Sequence, residues 1–224
     1  MSKPYRLVVF DWEGTLGDTL GKIINILTVE TQRMSLGEFS ESLARQHLMM
    51  GLIVTIKKIF PHLSSVKQQQ LLQAVQASLA SRSMDVYLNP GAKAIVKKIQ
   101  EAGMDLAIAT NKGQHSLLRD LQASGLDAYF TVTRSASQAP AKPCPQMLEE
   151  IMEACNVTPS QTLMVGDSVS DVVMARAVNV DAVGVQFYHQ PELAEELFAA
   201  GALNVFDDYQ QLASYLNLDR LTSF

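Results

Sequence analysis

Short apolar segments that alternate with amphipathic ones constrain the fold of this 224-residue chain more than any other feature. A wholly apolar run is typical of a strand buried on both faces, as strands are in a parallel sheet. From residue 92 onward the alternation predicts a parallel α/β sheet covered by helices. The predicted strands are Arg6–Phe10, Asp105–Thr110, Thr162–Val165, Ala182–Gln186 and Leu203–Phe206. The predicted helices of this part are Ala92–Ala102, Ser116–Ser124, Pro145–Cys155, Asp171–Val178, Pro191–Ala199 and Tyr209–Leu216.

Residues 20–86 break this alternation, because their apolar residues keep helical spacing throughout. Ser35 and Glu38 have the spacing of a capping box, which predicts a helix start there. The turn signal Asn89-Pro90-Gly91 returns the chain to strand–helix alternation. We therefore expect an all-helical domain over residues 19–86, inserted after the first strand of an α/β core formed by residues 1–18 and 87–224.

Composition excludes several classes of function. The formal net charge of −5 disfavours binding to nucleic acid or to an anionic membrane. No apolar run is long enough for a transmembrane helix, and the run near the N-terminus is too short for a signal peptide. With only Cys144 and Cys155, no disulfide framework is expected. These observations predict a cytoplasmic protein. Composition does not decide the oligomeric state, for which we expect a monomer or a homodimer.

Two carboxylates, Asp11 and Glu13, follow the first predicted strand. In parallel α/β sheets, ligands bind just beyond the carboxyl ends of the strands. Gly14 lets the backbone turn sharply and come close to a ligand. Two carboxylates in such a place suggest one nucleophile and one proton donor.

Three further polar elements lie at or near strand ends. Thr110-Asn111-Lys112 closes the second predicted strand. Lys142-Pro143 follows a loop and precedes a helix. Residues 166–171, which read Gly-Asp-Ser-Val-Ser-Asp, form an acidic turn that opens a helix.

The order of these four elements resembles the haloacid dehalogenase-like hydrolase superfamily. The first motif of that superfamily, Asp-x-Asp-Gly-Thr, reads Asp-Trp-Glu-Gly-Thr here at residues 11–15. The flanking Thr110-Asn111-Lys112 and Lys142-Pro143-Cys144-Pro145 are similar to the phosphoglycolate phosphatase-like branch. The resemblance implies a Rossmann-like parallel sheet with a helical cap. It also implies a Mg²⁺-dependent phosphatase that acts on a small phosphorylated metabolite.

The resemblance assigns roles to the acidic residues. Asp11 would be the nucleophile that forms an aspartyl-phosphate intermediate. Mg²⁺ would be held by the carboxylates of Asp11 and Asp167 and by the backbone carbonyl of Glu13. Asp171 would orient Lys142 or a metal-bound water.

The other implied roles concern the phosphoryl group. Lys142 would supply positive charge to the nucleophile and to the transferring oxygens, and Thr110 would hold the phosphate. We also assign Gly14 and Asn111 to the substrate-binding set, and Trp12 either to that set or to packing within the loop after the first strand. The cap would close over the site and select the alcohol portion of the substrate, and the segment 45–51 is the candidate for that selection.

Glu13 is the one departure from the family pattern, which usually has aspartate at this position. The resemblance makes Glu13 the general acid and base. An extra methylene moves the carboxyl group by roughly an ångström, and a displacement of that size can cost about a hundredfold in rate. We expect an active enzyme that turns over slowly.

Two alternatives remain open at this point. Phosphonoacetaldehyde hydrolases of the same superfamily often have tryptophan after the nucleophile, as Trp12 is here, and need a cap lysine for which Lys57 or Lys58 would serve. Against this alternative, those enzymes have alanine where this chain has Glu13. The second alternative is a regulatory protein that binds a phosphorylated metabolite and hydrolyses it slowly or not at all.

Overall fold

The chain divides into two compact units. The computed structural model describes residues 5–81, 85–187 and 191–218. One unit is Asp18–Tyr87, and the other joins the chain up to Gly17 with the chain from Leu88 onward. Within the described ranges, no helix is both long and apolar enough to cross a membrane.

The larger unit is built on a parallel sheet, and the described residues contribute six strands to it in the order β3-β2-β1-β4-β5-β6. The predicted α/β fold class with helices after the first strand is confirmed. The strands are β1 (Leu7–Phe10), β2 (Asp105–Thr110), β3 (Val132–Ser135), β4 (Thr162–Gly166), β5 (Asp181–Val185) and β6 (Val205–Phe206).

Strand β1 lies at the centre of the sheet, between β2 and β4. Phe10 is in register with Ile108 of β2 and with Val165 of β4, so the carboxyl ends of the three strands lie side by side. The chain builds the sheet to one side of β1 and then crosses to the other side with β4. Ligand sites of open α/β sheets lie at such a reversal of strand order.

Amphipathic helices cover this sheet. In α5, for example, Ile95, Val96 and Ile99 lie on one buried face. Several helix ends carry the expected caps, such as the Asp208 side chain, which accepts a hydrogen bond from the first turn of α10. The helices of this unit are α5 (Ala92–Glu101), α6 (Gln114–Ser124), α7 (Gln146–Cys155), α8 (Val169–Ala177), α9 (Pro191–Ala200) and α10 (Tyr209–Tyr215).

Over its described residues, 18–81 and 85–87, the smaller unit has helices as its regular structure, and it has its own apolar core, in which Leu27, Phe60 and Leu71 are fully buried. Its helices are α1 (Thr19–Arg33), α2 (Glu41–His47), α3 (Leu52–Ile59) and α4 (Ser65–Ser81). The helix start predicted at Ser35 is wrong. Helix α2 begins at Glu41 with Ser40 as its N-cap, and Ser35 has a φ of +52° in the preceding turn.

Strand β3 was not predicted from the sequence. It lies at the edge of the sheet and pairs only with β2 among the described strands. Three of its four residues are half-buried, so the segment lacks the continuous apolar run that marks the central strands. A charged residue stands in this strand: Arg134, whose Nε forms an ion pair with Glu150 Oε2 of α7 at 2.6 Å.

We expect the central strands to carry much of the stability of the larger unit. Leu163 of β4 is fully buried, so Leu163→Ala should lower the free energy of unfolding by about 2–5 kcal/mol through lost burial and a cavity. Urea denaturation followed by circular dichroism measures this change. The control is Leu118→Ala, which removes a leucine that is 46% exposed and should change stability by about 0.5 kcal/mol or less. Equal losses in both variants would contradict the assignment.

Candidate active site

The loop after β1 is a tight turn that needs glycine at position 14. The Asp11 N–H donates to the Val165 carbonyl at 3.0 Å, which continues the ladder between β1 and β4. The turn is closed by hydrogen bonds from Gly17 N–H to the Trp12 carbonyl (2.7 Å) and from Gly14 N–H to the Gly17 carbonyl (2.9 Å). Gly14 has a φ of +78°, and a Cβ at this position would overlap the Asp167 carboxylate. The glycine therefore allows this turn to lie directly against the end of β4.

Two distant side chains hold this turn in place. The Asn89 Nδ2 donates to the carbonyls of Gly14 (3.0 Å) and Thr15 (2.6 Å). The hydroxyl of Tyr209 donates to the Thr15 carbonyl at 2.7 Å. The Thr15 hydroxyl in turn donates to Asp167 Oδ1 at 2.9 Å. These contacts fix the relative positions of the carboxylates that follow β1 and β4.

A buried ion cluster lies at the centre of the site. Lys142 Nζ is 2.7 Å from Asp11 Oδ1 and 2.5 Å from Asp171 Oδ1, and all three side chains are buried. Besides this ion pair, Asp11 Oδ1 has no hydrogen-bond partner among the described residues, although it is buried. Asn111 positions the lysine, because its Oδ1 accepts a hydrogen bond from the Lys142 backbone N–H at 2.8 Å.

The side chains of this cluster change one another's pKa values. Burial and the negative charge of Asp171 raise the pKa of Asp11, although the Lys142 ammonium opposes the shift. The pKa of Asp167 is also raised, mainly by burial and then by the charges of Asp11 and Asp171. Burial alone would lower the pKa of Lys142, but its two carboxylate neighbours outweigh that effect and raise it. Negative charge is therefore in excess at this point.

The same carboxylates have the donor set of a divalent metal site. An oxygen from each of Asp11, Asp167 and Asp171 lies within 4.8 Å of the other two. Both oxygens of Asp171 are already engaged, Oδ1 with Lys142 and Oδ2 with the backbone N–H and hydroxyl of Ser168. Asp11 and Asp167 are thus the better placed to hold a hard cation, which prefers oxygen ligands. Three carboxylates also outnumber the one ammonium, so a further positive charge would be stabilised here.

Glu13 does not belong to that cluster and has a cationic partner of its own. Lys112 Nζ donates to Glu13 Oε1 and is 3.1 Å from Asp120 Oδ2. Burial alone would lower the pKa of Lys112, but its hydrogen bonds to Glu13 and Asp120 and their negative charges raise it. Lys112 therefore joins the loop after β1 to helix α6.

A cavity of about 440 Å³ opens at these strand ends. Five of the predicted site residues line it, namely Asp11, Glu13, Thr110, Asn111 and Lys142. The remaining lining residues are Lys112, Ser168 and Ser170.

The other predicted residues are not among those that line the cavity. Asp167 and Asp171 form a carboxylate cluster with Asp11, which does line it. Trp12 is 2% exposed, and Gly17 approaches its indole so closely that a Cβ on the glycine would lie 3.0 Å from Nε1. Neither Trp12 nor Gly14 is among the residues that line the cavity.

Sequence reasoning missed Lys112, Ser168 and Ser170 as site residues. All three lie inside the segments that carried the prediction, so their position in the sequence was a usable signal. Ser168 and Ser170 flank the start of α8, with their hydroxyl oxygens 2.8 Å apart. The Ser168 hydroxyl already donates to Asp171 Oδ2, so of the two serines Ser170 is the one that can turn its hydroxyl proton toward an anion.

Curated relatives match nearly the whole chain. A phosphoglycolate phosphatase from Psychrobacter arcticus is 25% identical over 224 residues, which cover 94% of this chain and 95% of the relative. A phosphoglycolate phosphatase from Mesorhizobium japonicum is 28% identical over 217 residues, which cover 92% of this chain and 93% of the relative.

Solved structures share the fold. A HAD-family hydrolase from Deinococcus radiodurans, crystallised with bound phosphate and sodium, superimposes with a TM-score of 0.73 at 19% identity and covers 99% of each chain. CbbY from Rhodobacter sphaeroides, solved in complex with xylulose-1,5-bisphosphate, gives a TM-score of 0.60 at 19% identity over 93% of this chain and 96% of that one.

The family model described as "Haloacid dehalogenase-like hydrolase" matches residues 8–185. This span begins within β1 and ends with β5, so it includes the four polar elements and the helices inserted after the first strand. Sequence motifs, sheet order and family match agree, and the chain belongs to the haloacid dehalogenase-like hydrolase family.

Proposed function

We propose that this protein is a Mg²⁺-dependent phosphatase that hydrolyses a small phosphorylated metabolite through an aspartyl-phosphate. The observation that carries the proposal is the buried Asp11–Lys142 pair, which lies beside Asp167 where the cavity opens. Relatives named phosphoglycolate phosphatase support a phosphate monoester as the substrate. 2-Phosphoglycolate is therefore the first compound to test.

In the first step, a carboxylate oxygen of Asp11 attacks phosphorus, and the bond between phosphorus and the leaving alcohol oxygen breaks. Lys142 holds the Asp11 carboxylate and balances negative charge during the transfer. Thr110 and Asn111 line the cavity, where they are placed to orient the phosphoryl oxygens.

Glu13 carries the protons in both steps. It lines the cavity beside Asp11, and we assign it to donate a proton to the departing alkoxide. The resulting carboxylate then accepts a proton from the water that attacks the phosphorus of the aspartyl-phosphate. Inorganic phosphate leaves, and Asp11 is regenerated.

The site fits Mg²⁺ because its donors are all oxygens and carboxylates outnumber the one buried ammonium. The carboxylates of Asp11 and Asp167 and the backbone carbonyl of Glu13 would hold the ion. When bound, Mg²⁺ supplies positive charge that reduces the repulsion between the Asp11 carboxylate and a phosphate dianion. Asp171 orients Lys142 in this arrangement.

The phosphonoacetaldehyde hydrolase alternative fits the structure less well. It requires Lys57 or Lys58 as a Schiff-base lysine, and both residues are exposed on α3. A lysine used in this way is commonly desolvated so that its amine is neutral. Within the helical unit itself neither lysine is desolvated in this way, which favours the phosphatase.

Asp11→Asn should abolish turnover, because the amide lacks the nucleophilic oxygen. We expect kcat with 2-phosphoglycolate and Mg²⁺ to fall by at least about a thousandfold. Acid quenching of the wild-type protein during turnover of a ³²P-labelled substrate should trap label on the protein, whereas Asp11→Asn should trap none. The matched control is Asp127→Asn, since Asp127 begins a short 3-10 helix away from the cavity. Wild-type rates in Asp11→Asn would contradict the mechanism.

Glu13→Gln removes the proton-transfer group and nearly preserves its shape. We expect kcat to fall by about a hundredfold or more, while Glu13→Asp should retain activity because it keeps a carboxylate. Steady-state rates with an aryl phosphate and with an alkyl phosphate measure the effect. The loss should be larger with the alkyl phosphate, whose leaving alkoxide needs protonation more. Equal rates for wild type and Glu13→Gln with both substrates would refute the acid–base assignment.

Mg²⁺ and protons should compete for the carboxylate cluster. The pKa values of Asp11 and Asp167 are raised above the ordinary 3.8, so the folded protein holds protons that the unfolded chain releases. The metal-free protein therefore loses stability as the pH rises above that ordinary value. Differential scanning fluorimetry should show a larger Mg²⁺-induced rise in Tm at about pH 8 than at about pH 5.

The control for this measurement is Asp167→Asn. It removes one titrating carboxylate and one metal ligand, so the metal-free variant should be more stable than the wild type at high pH and should respond less to Mg²⁺. An Mg²⁺-induced rise in Tm that is independent of pH would contradict the prediction.

A further inference from the structure

We propose that Lys112 is a positioning residue that, anchored by the buried carboxylate of Asp120, holds the Glu13 carboxylate at the cavity. The inference rests on the proposed function in one respect, since Glu13 is taken as the proton-transfer group. Lys112 follows β2 and contacts Glu13 in the loop after β1, while Asp120 on helix α6 anchors the lysine.

The anchor is well defined. The Asp120 side chain is 10% exposed, and its two oxygens have different partners. Asp120 Oδ1 accepts hydrogen bonds from Arg119 at 3.1 and 3.2 Å, while Oδ2 is 3.1 Å from Lys112 Nζ. Asp120 lies in the middle of α6, so the position of the ammonium is set by a helix and by the strand that precedes it.

Glu13 needs such a partner more than a shorter residue would. Its side chain is 38% exposed on a loop and has one more rotatable bond than aspartate. A carboxylate that transfers protons must be held close to the reacting atoms, and a displacement of about an ångström can cost a hundredfold in rate. An ammonium at the far end of the glutamate limits the positions that its carboxylate can occupy.

Lys112 also lines the cavity, so direct binding of the phosphate is the competing explanation. The two explanations predict different kinetic effects when Lys112 is removed. If the lysine binds phosphate, its removal raises KM and weakens inhibition by inorganic phosphate. If it positions Glu13, its removal lowers kcat and leaves KM and the inhibition constant of inorganic phosphate nearly unchanged.

The test compares Lys112→Met and Asp120→Asn with the wild type. We expect kcat to fall by about ten- to a hundredfold in Lys112→Met and by a smaller factor in Asp120→Asn, which loses the anchor but keeps the ammonium. KM and the inhibition constant of inorganic phosphate should change by less than about twofold in both variants. The control is Lys97→Met, which removes an exposed lysine from an i,i+4 ion pair with Glu101 and should leave kcat unchanged.

A double-mutant cycle with Glu13→Asp tests the coupling itself. The shorter carboxylate withdraws from Lys112, so Lys112→Met should change kcat by less than about threefold in that background. An equal loss in the wild-type and Glu13→Asp backgrounds would overturn the proposal. A tenfold rise in KM and in the phosphate constant with unchanged kcat would overturn it as well, in favour of direct phosphate binding.

Crystal structures of wild type and Lys112→Met provide a readout that does not depend on turnover. The proposal predicts a single Glu13 side-chain position in the wild type and several in the variant, and an unchanged single position in Lys112→Met would refute it. Failure of the proposed function looks different: either the wild type releases no product from any phosphate ester, or Asp11→Asn is as active as the wild type, and neither result changes the Glu13 positions seen in the crystals. Circular dichroism and Tm establish that each variant is folded.

Discussion

The arrangement of this site depends on one ammonium group that is buried between two carboxylates. Lys142 lies within 2.7 Å of both Asp11 and Asp171, and all three side chains are buried. Burial of such charges is costly, and removal of one partner leaves an uncompensated charge. The lysine is therefore fixed in one place, and with it the Asp11 carboxylate. Asp167 adds a third carboxylate close by, and the resulting excess of negative charge is what makes a divalent cation a natural occupant.

The sheet supplies the geometry that this cluster requires. Since β1 lies between β2 and β4 in a parallel sheet, residues that follow these strands meet at one edge although they are far apart in sequence. Asn89 and Tyr209 also position the loop after β1, because their side chains donate hydrogen bonds to its carbonyl oxygens. The same loop pairs with other backbone through an isolated bridge between Gly17 and Leu88. The positions of the carboxylates are thus fixed partly by hydrogen bonds to the backbone of the loop that carries them.

Local patterns were sufficient to predict the central sheet and the ends of its strands. The runs that became β1, β2 and β4 are continuous and apolar, so the positions of Asp11, Thr110 and Asp167 followed from the general rule for parallel sheets. The half-buried edge strand β3 lacks that pattern and was missed. The direction of side chains was harder to predict, since the sequence left open whether Trp12 packs inside the protein or faces the substrate; in the structure Trp12 is buried, and its neighbour Glu13 lines the cavity.

The Glu13–Lys112 contact illustrates why a departure from a motif is hard to interpret from sequence alone. Read as an isolated change, glutamate in place of aspartate misplaces a proton-transfer group by the length of one methylene. In the folded protein the glutamate side chain reaches the ammonium of Lys112, which the buried Asp120 of α6 holds in place. The three residues lie at positions 13, 112 and 120, so no local pattern connects them. The effect of the extra methylene therefore depends on where Lys112 and Asp120 hold the carboxylate, and the length of the side chain is only one part of it.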